Sequence, residues 1–376
     1  MLFMRRKKAG ITLVGFILLV VSLVACTNQS ASQTAPQTIR ETVVVTQEVP
    51  VRETVVVRET VEVPVEEPIV YVYSARHYGQ METAFAEFTK ETGIEVRFTF
   101  GSDAELRERL KAEGRFTPAD VLFTVDAANL WLAAQEGLLR PINSDVLESN
   151  IPDYLQDPSN QWYALSLRVR TIAYHPDRVN PEEIATYESL ADPKWAGRIC
   201  WRPSTKSYTQ SLVSSLIVHH GYDKAKEIVT GWAQNAKEYI DSDTRILQTI
   251  AEGGCDISVV NHYYLARLLN EDANYPVKLL WANQAEQGVH VNASGAGVTT
   301  YARHPENAIR LLEWLSTERG QRLFADSNFE YPANLNVAPH ELIQQWGEFK
   351  RDTLQISEIG SLQADAIKLM NEAGYQ

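Results

Sequence analysis

The chain has 376 residues, of which 44% are hydrophobic and 22% are charged, and its formal net charge is −13 at pH 7. Without residues 1–25, which have the pattern of a leader, 31 Lys and Arg stand against 48 Asp and Glu, a net charge of −17. A surface this acidic argues against nucleic acid or an anionic membrane surface as the binding partner, and it does not specify a fold.

The N-terminus has the pattern of an export signal. Four basic residues at 5–8 precede an apolar run at residues 11–21, and Leu23-Val-Ala-Cys26 follows. The run is too short for a transmembrane helix and is typical of a cleaved signal peptide. Leu-Val-Ala-Cys also resembles the bacterial lipobox, which implies a lipoprotein signal peptide at residues 1–25 and lipid attachment at Cys26, outside the cytoplasmic membrane. The alternative is an ordinary cleaved signal followed by a chance cysteine.

Residues 26–68 form a low-complexity segment. The motif Glu-Thr-Val-Val-Val begins at Glu41 and at Glu53, and a variant begins at Glu59. A repetitive stretch without aromatic residues cannot bury a core of its own, so we predict an extended tether between the lipid and a folded domain. The valine and threonine content also suits strands, and self-association through strands is the alternative.

The rest of the chain is long enough for two lobes with separate cores. In its first part, apolar runs alternate with amphipathic patterns: strands are predicted at 69–73, 94–100 and 119–124, and helices at 80–92, 103–113 and 129–136. Such alternation implies an α/β lobe in which a mostly parallel sheet is flanked by helices.

A second α/β lobe follows. A long strand at 162–174 leads into it, and its predicted elements are strands at 198–201 and 256–260 with helices at 210–218, 222–233 and 244–251. The predicted division is lobe 1 at 69–165, an inserted lobe 2 at 166–290, and a return to lobe 1 with C-terminal helices at 291–376, including a helix at 305–316.

Three predicted strand ends are each followed by tyrosine. The side chains are His77 and Tyr78, then Tyr208, then the pair Tyr263 and Tyr264. Ligands of open parallel sheets bind outside the carboxyl ends of the strands, so these side chains are candidates for one site. Consecutive tyrosines converge only where the backbone turns, as it does between a strand and a helix. The alternative for the pair is core packing with hydrogen-bonded hydroxyls.

Six stretches carry a resemblance that spans the whole domain. They are Tyr73-Ser-Ala-Arg-His-Tyr78, Ala119-Asp-Val-Leu122, Asp192-Pro-Lys-Trp-Ala-Gly-Arg198, Ser207-Tyr-Thr-Gln-Ser-Leu212, Asn261-His-Tyr-Tyr-Leu-Ala-Arg267 and Glu330-Tyr-Pro-Ala-Asn334. Together they resemble the ferric-iron-binding substrate proteins of bacterial ABC transporters, a tyrosine-rich branch of the two-lobed periplasmic binding proteins. The resemblance implies a monomer whose lobes close on one Fe(III) and which delivers it to a permease and its ATPase.

The resemblance also implies roles for individual residues. Tyr78, Tyr208, Tyr263 and Tyr264 match the phenolate ligands, His77 matches a ligand of some members, and Arg168 and Arg267 match arginines that offset phenolate charge. Fe(III) favours anionic oxygen, and a bound metal can deprotonate a phenol whose ordinary pKa is about 10. Fe(II) is the alternative metal, and an ion pair at the surface or between lobes is the alternative role for either arginine.

Position 125 departs from the pattern of some relatives, which place a carboxylate there together with a bound anion. This chain has Val125, and Asp126 is predicted to cap the next helix instead. A synergistic anion is therefore an open element of the predicted site.

Cys200 and Cys255 each precede a site tyrosine by eight residues. This spacing places the two cysteines at similar heights on neighbouring strands, and in an exported protein it favours a disulfide. Two buried free thiols are the alternative.

The sequence does not favour an enzyme. Ser294 lies in Asn-Ala-Ser-Gly-Ala-Gly, which lacks the first glycine of a nucleophile elbow, and the histidines form no His-Glu-x-x-His motif. An exported hydrolase is the distant alternative. The nearer alternative is a two-lobed binding protein for a polyamine, a sugar or an oxyanion.

Overall fold

The computed structural model describes residues 38–47, 55–64, 67–76 and 81–376, and it describes the first two ranges by their backbone alone. The chain divides into two units, Met1–Val65 and Glu66–Gln376. The predicted signal residues and Cys26 lie outside the described residues.

The first unit contains a β-hairpin. Strand β1 (Thr38–Gln47) pairs antiparallel with β2 (Val55–Pro64), and Val45 is opposite Val57 in the register. The sequence predicted an extended tether here and gave strands as the alternative, and the described backbone has strands. The role of the segment as a tether stays a prediction. The β-branched residues of the repeat favour extended backbone, and the repeat supplies two similar segments close enough in sequence to pair within one chain.

Within the described residues of the second unit, ten further strands form one mixed sheet. In chain order they are β3 (Ile69–Ser74), β4 (Glu95–Phe100), β5 (Val121–Thr124), β6 (Tyr163–Tyr174), β7 (Ile199–Trp201), β8 (Ala236–Tyr239), β9 (Ile257–Asn261), β10 (Lys278–Leu280), β11 (Val291–Val298) and β12 (Tyr331–Pro332). Their spatial order is β4-β3-β5-β11-β6-β9-β7-β8, and β10 and β12 also pair with β6.

Helices cover the sheet. In the described part of the chain they are α1 (Met81–Thr92), α2 (Asp103–Glu113), α3 (Ala127–Gln135), α4 (Asp145–Asn150), α5 (Ser207–His220), α6 (Tyr222–Asn235), α7 (Asp243–Ala251), α8 (His262–Glu271), α9 (Pro305–Ser316), α10 (Glu318–Phe324), α11 (Glu341–Gln344), α12 (Ile356–Ser361) and α13 (Gln363–Glu372). None of them, within the described residues, has the length and apolarity needed to cross a membrane. The predicted strands and helices of this unit are confirmed, with ends that differ by a few residues.

Strand β6 connects the two halves of the sheet. Its first half pairs with β11 and its second half pairs with β9, in both cases antiparallel. The outer strands pair parallel, β3 with β4 and β5, and β7 with β8 and β9. The prediction of mostly parallel sheets therefore holds for the outer strands, whereas the long strands that join the halves make the whole sheet mixed.

The two halves bury separate cores. The first core includes Val72, Phe123 and Leu130, and the second includes Ile172, Trp201 and Leu216. Helix α13 buries its apolar stripe in the second core, whereas Ile356 of α12 belongs to the first. The predicted return of residues 291–376 to lobe 1 therefore does not extend to α13. The apolar residues of α13 recur at helical spacing, and they pack against α5 and α6. The lobe boundaries themselves stay predictions.

Candidate metal centre

Two strand-to-helix junctions place three of the predicted tyrosines. Tyr208 is the second residue of α5, which follows β7, and Tyr263 and Tyr264 lie in the first turn of α8, which follows β9 directly. The first turn of a helix carries a partial positive charge from its unpaired N–H groups. All three tyrosines therefore lie at the partially positive end of a helix.

The consecutive tyrosines converge as the junction geometry predicts. The ring centroids of Tyr263 and Tyr264 are 4.3 Å apart, with planes inclined by 34°. Tyr263 is buried, whereas Tyr264 and Tyr208 are partly exposed. One member of the pair thus packs inside while the other reaches the surface of the site.

Two arginines connect the three tyrosines. The guanidinium carbon of Arg168 is 5.5 Å from the ring centroid of Tyr208 and 6.0 Å from that of Tyr263. Its Nη1 donates a hydrogen bond to the Tyr208 hydroxyl at 3.4 Å. The guanidinium carbon of Arg267 is 5.1 Å from the ring of Tyr263 and 5.3 Å from that of Tyr264. The three tyrosines therefore form one cluster with a guanidinium group on two sides.

A buried carboxylate lies beneath this cluster. Oε2 of Glu330 is 2.8 Å from Nη1 of Arg76 and 3.8 Å from Nη2 of Arg168, and all three side chains are fully buried. Burial alone would raise the pKa of Glu330, but the charges of Arg76 and Arg168 outweigh it and lower that pKa to about 2. The carboxylate of Glu330 therefore joins the two guanidinium groups into one buried network next to the tyrosines.

Arg267 joins the same network through an amide. It donates to Oδ1 of Asn328, and Nδ2 of Asn328 donates to Oε1 of Glu330 at 2.5 Å. Sequence reasoning placed Arg76 and Glu330 within two of the family stretches but assigned them no role. The sequence feature that could have identified them is their position at strand ends, since Arg76 follows β3 by two residues and Glu330 immediately precedes β12.

His262 has a structural role. Its Nδ1 accepts a hydrogen bond from the N–H of Val169 at 3.0 Å, and its Nε2–H donates to the carbonyl of Phe329 at 2.9 Å. Complete burial lowers the pKa of His262 to about 4, which keeps the ring neutral. Both ring nitrogens are engaged by backbone groups, so neither is available to a metal.

The remaining ligand predictions, His77 and Tyr78, lie outside the described residues. Within residues 67–76 and 81–376, no group of three or more His, Cys, Asp or Glu side chains is placed to hold a metal. A hard cation bound in this part of the chain would therefore depend on the tyrosine oxygens. The donor set fits Fe(III), because phenolate is an anionic oxygen ligand.

Asp126 caps α3 as predicted. Its carboxylate accepts a hydrogen bond from the N–H of Ala128 at 2.9 Å. The neighbouring position, Val125, carries no donor atom, and its backbone N–H donates to Asp103 at 3.1 Å.

A disulfide links the strands that carry the tyrosines. Cys200 of β7 and Cys255, two residues before β9, are bonded, with a Cα–Cα distance of 5.9 Å. Ile246, Leu247 and Val260 surround the bridge in a small apolar cluster. The bridge links β7 to the chain just before β9, and these are the strands that lead into α5 and α8.

Comparisons with known proteins agree on one group. Residues 83–351 match the family model described as bacterial extracellular solute-binding protein. The chain is 41% identical over 320 residues to iron uptake protein A1 of Synechocystis sp., which covers 83% of this chain and 89% of that protein. A solved Trichodesmium structure in complex with iron and citrate ligands has a TM-score of 0.78 at 40% identity, covering 82% of this chain and 100% of that one. The ferric binding protein from Campylobacter jejuni also has a TM-score of 0.78, at 31% identity and the same coverage.

Proposed function

We propose a function from one established premise, that the chain belongs to the family of bacterial extracellular solute-binding proteins. The fold predicted from the sequence, the two-lobed fold of periplasmic binding proteins, is confirmed by the solved structures that it resembles. On this scaffold the protein captures ferric iron between its lobes and delivers it to an ABC importer. The observation that carries the proposal is the convergence of Tyr208, Tyr263 and Tyr264 around two arginines.

The ligand type supports Fe(III) over Fe(II). Phenolate is an anionic oxygen ligand, which the harder trivalent ion favours. Three phenolates neutralise a trivalent ion, and Tyr78 would add a fourth negative charge, with His77 as a further donor. Arg168 and Arg267 lie close enough to offset this excess, since Coulomb attraction is strong at short range.

The partners follow from the family. A solute-binding protein hands its ligand to a permease whose transport is driven by an ATPase, so we assign those two proteins as partners of a monomeric carrier. Lipid attached to Cys26 would hold the carrier on the outer face of the membrane. A Cys26→Ser variant is expected to move from the membrane fraction to the soluble extracytoplasmic fraction, and unchanged membrane association would contradict the anchor.

The test of the function uses visible absorption. Titration of the iron-free protein with ferric citrate is expected to produce a phenolate-to-Fe(III) charge-transfer band, orange to red in colour. Tyr208→Phe and Tyr264→Phe each remove one phenolate and are expected to weaken or shift the band. The matched control is Tyr301→Phe, which removes the hydroxyl of an exposed tyrosine outside the proposed ligand set and should leave the band unchanged.

Three outcomes decide between the candidates. A band that differs between ferric citrate and ferric nitrilotriacetate indicates an anion in the coordination sphere, and an identical band indicates that protein ligands suffice. No visible band with either chelate overturns the Fe(III) assignment. Stabilisation by a polyamine, a sugar or a phosphonate, with no response to iron, would favour the alternative binding protein.

A further inference from the structure

Asp126 makes more hydrogen bonds than a helix cap requires. Besides Ala128, its carboxylate accepts from the hydroxyl of Ser211 at 2.8 Å and from Nδ2 of Asn292 at 2.7 Å. Asp126 is fully buried, with a relative exposure of 0%. Burial raises the pKa of Asp126, and the bonds from Ser211 and Asn292 counter that effect.

The bond to Ser211 connects the two cores. Asp126 caps α3, whose Ala127 and Leu130 belong to the first core. Ser211 lies on α5, whose Leu212 and Val213 belong to the second. Any movement that separates the two lobes at this point must break the Asp126–Ser211 bond.

Ser211 is also close to the candidate site. It is three residues after Tyr208 on the same helix, and residues at this spacing are neighbours on one side of a helix. A bond that fixes Ser211 therefore fixes the first turn of α5, which carries Tyr208. Asn292, the other partner, is opposite Arg168 in the β11–β6 register.

We propose that Asp126 is a positioning residue, which holds Tyr208 in the site by a hydrogen bond to Ser211 that forms when the lobes close. The inference rests on the proposed iron-binding function and adds a specific residue pair to it. In this proposal the bond is made in the closed form alone, so that it stabilises iron binding without stabilising the open, iron-free protein. A ligand affinity that depends on a closed form changes with the stability of that form.

The expected effect is measurable. Loss of one buried hydrogen bond changes an equilibrium by up to about tenfold. Ser211→Ala is therefore expected to raise the Kd for Fe(III) by about tenfold, mainly through faster release, since differences between related complexes lie mostly in the dissociation rate. The charge-transfer band should keep its position, because the phenolate ligands are unchanged.

The matched control lies on the same helix. Ser215 is a buried serine one turn further along α5, and its hydroxyl donates to the carbonyl of Leu212 within the helix. Ser215→Ala removes an equally buried hydroxyl without touching the other lobe. It should leave Kd and the release rate at the wild-type values.

Thermal unfolding separates positioning from a general structural role. Ser211→Ala should lower the midpoint of the iron-loaded protein and leave that of the iron-free protein unchanged. A second variant, Asp126→Asn, keeps an oxygen for the cap, since asparagine caps helices as well as aspartate does, but it replaces the oxygen that receives Ser211. The double variant combines Ser211→Ala with Asp126→Asn. If Ser211 acts through Asp126, this variant should bind iron no more weakly than Asp126→Asn alone.

Each result has a defined meaning. A Kd for Ser211→Ala equal to that of Ser215→Ala overturns the proposal, and so does an equal fall in the loaded and iron-free midpoints. Additive losses in the double variant would also overturn it, because the two residues would then act separately. Absence of the band in the wild-type protein is a different failure, since it refutes the iron-binding function itself and the positioning role with it.

Discussion

Glu330→Gln removes the negative charge from the buried network beneath the tyrosines. Arg76 and Arg168 then lose the carboxylate that they share, and both side chains are fully buried. Removal of one partner from a buried ion pair costs about 3–5 kcal/mol. The pKa gives a similar magnitude, because a carboxyl whose pKa falls from 4.5 to about 2 on folding contributes about 3 kcal/mol at neutral pH.

The sign of the pH dependence follows from the depressed pKa. The contribution of Glu330 is complete above pH 4.5, where the carboxyl is ionised in both states, and is lost as pH falls towards 2. Urea unfolding at pH 7 should therefore show Glu330→Gln less stable than the wild type by about 3 kcal/mol. The difference should shrink as pH falls below 4.5.

The control for this variant is Glu318→Gln. Glu318 accepts a hydrogen bond from Arg322 at 3.2 Å on the surface of α10, where both side chains are at least half exposed. An exposed pair of this kind contributes less than about 1 kcal/mol. The reasoning is refuted if Glu330→Gln costs no more than Glu318→Gln, because the buried charges would then be balanced by groups other than this carboxylate.

Three further predictions concern stability. Replacing Cys200 and Cys255 by serine should cost about 4 kcal/mol in urea unfolding, since the bridge closes a loop with a sequence separation of 55; two titratable thiols in denatured, unreduced wild-type protein would contradict the bridge. Burial lowers the pKa of His290 to about 3, so below pH 6.5 the unfolded chain binds a proton at His290 that the folded protein does not. The free energy of unfolding of the wild type should therefore be about 2 kcal/mol lower at pH 5 than at neutral pH, and His290→Leu should not show this loss. Parallel pH profiles of the two proteins would contradict this. Gly295→Ala should lower the thermal midpoint, because a Cβ there would lie 2.4 Å from the carbonyl oxygen of Tyr163; an unchanged midpoint would show that β11 adjusts.

Local patterns were sufficient to predict most elements of the folded domain. The helix predicted at 103–113 is Asp103–Glu113, where Ser102 and Glu105 form a capping box. The long strand predicted at 162–174 is β6, and it connects the two halves of the sheet. These predictions succeed because helix and strand periods depend on neighbouring residues, which a single sequence displays directly.

Interactions between distant residues were not predictable in the same way. Arg76 and Glu330 are 254 residues apart, and neither lies in a pattern that distinguishes a buried pair from two surface charges. The same is true of the bond between Asp126 and Ser211, since the sequence identified Asp126 only as a cap. Strands in the repeat were the alternative to a tether, and the pairing of β1 with β2 was not predicted, because composition alone does not specify a register.

The position of Arg168 connects the charge network to lobe movement. Arg168 lies on β6 in the half that pairs with β11, and its guanidinium group contacts Glu330 and Ser294 as well as Tyr208 on α5. The positive charge is therefore fixed on the strand that the two lobes share. Tyr208 belongs to an element of the second core, so opening would carry its oxygen away from this charge. The hydrogen bond from Arg168 to the Tyr208 hydroxyl thus depends on α5 staying beside β6, so an arrangement of the lobes that keeps this contact is the one in which the proposed phenolate ligand has its compensating charge.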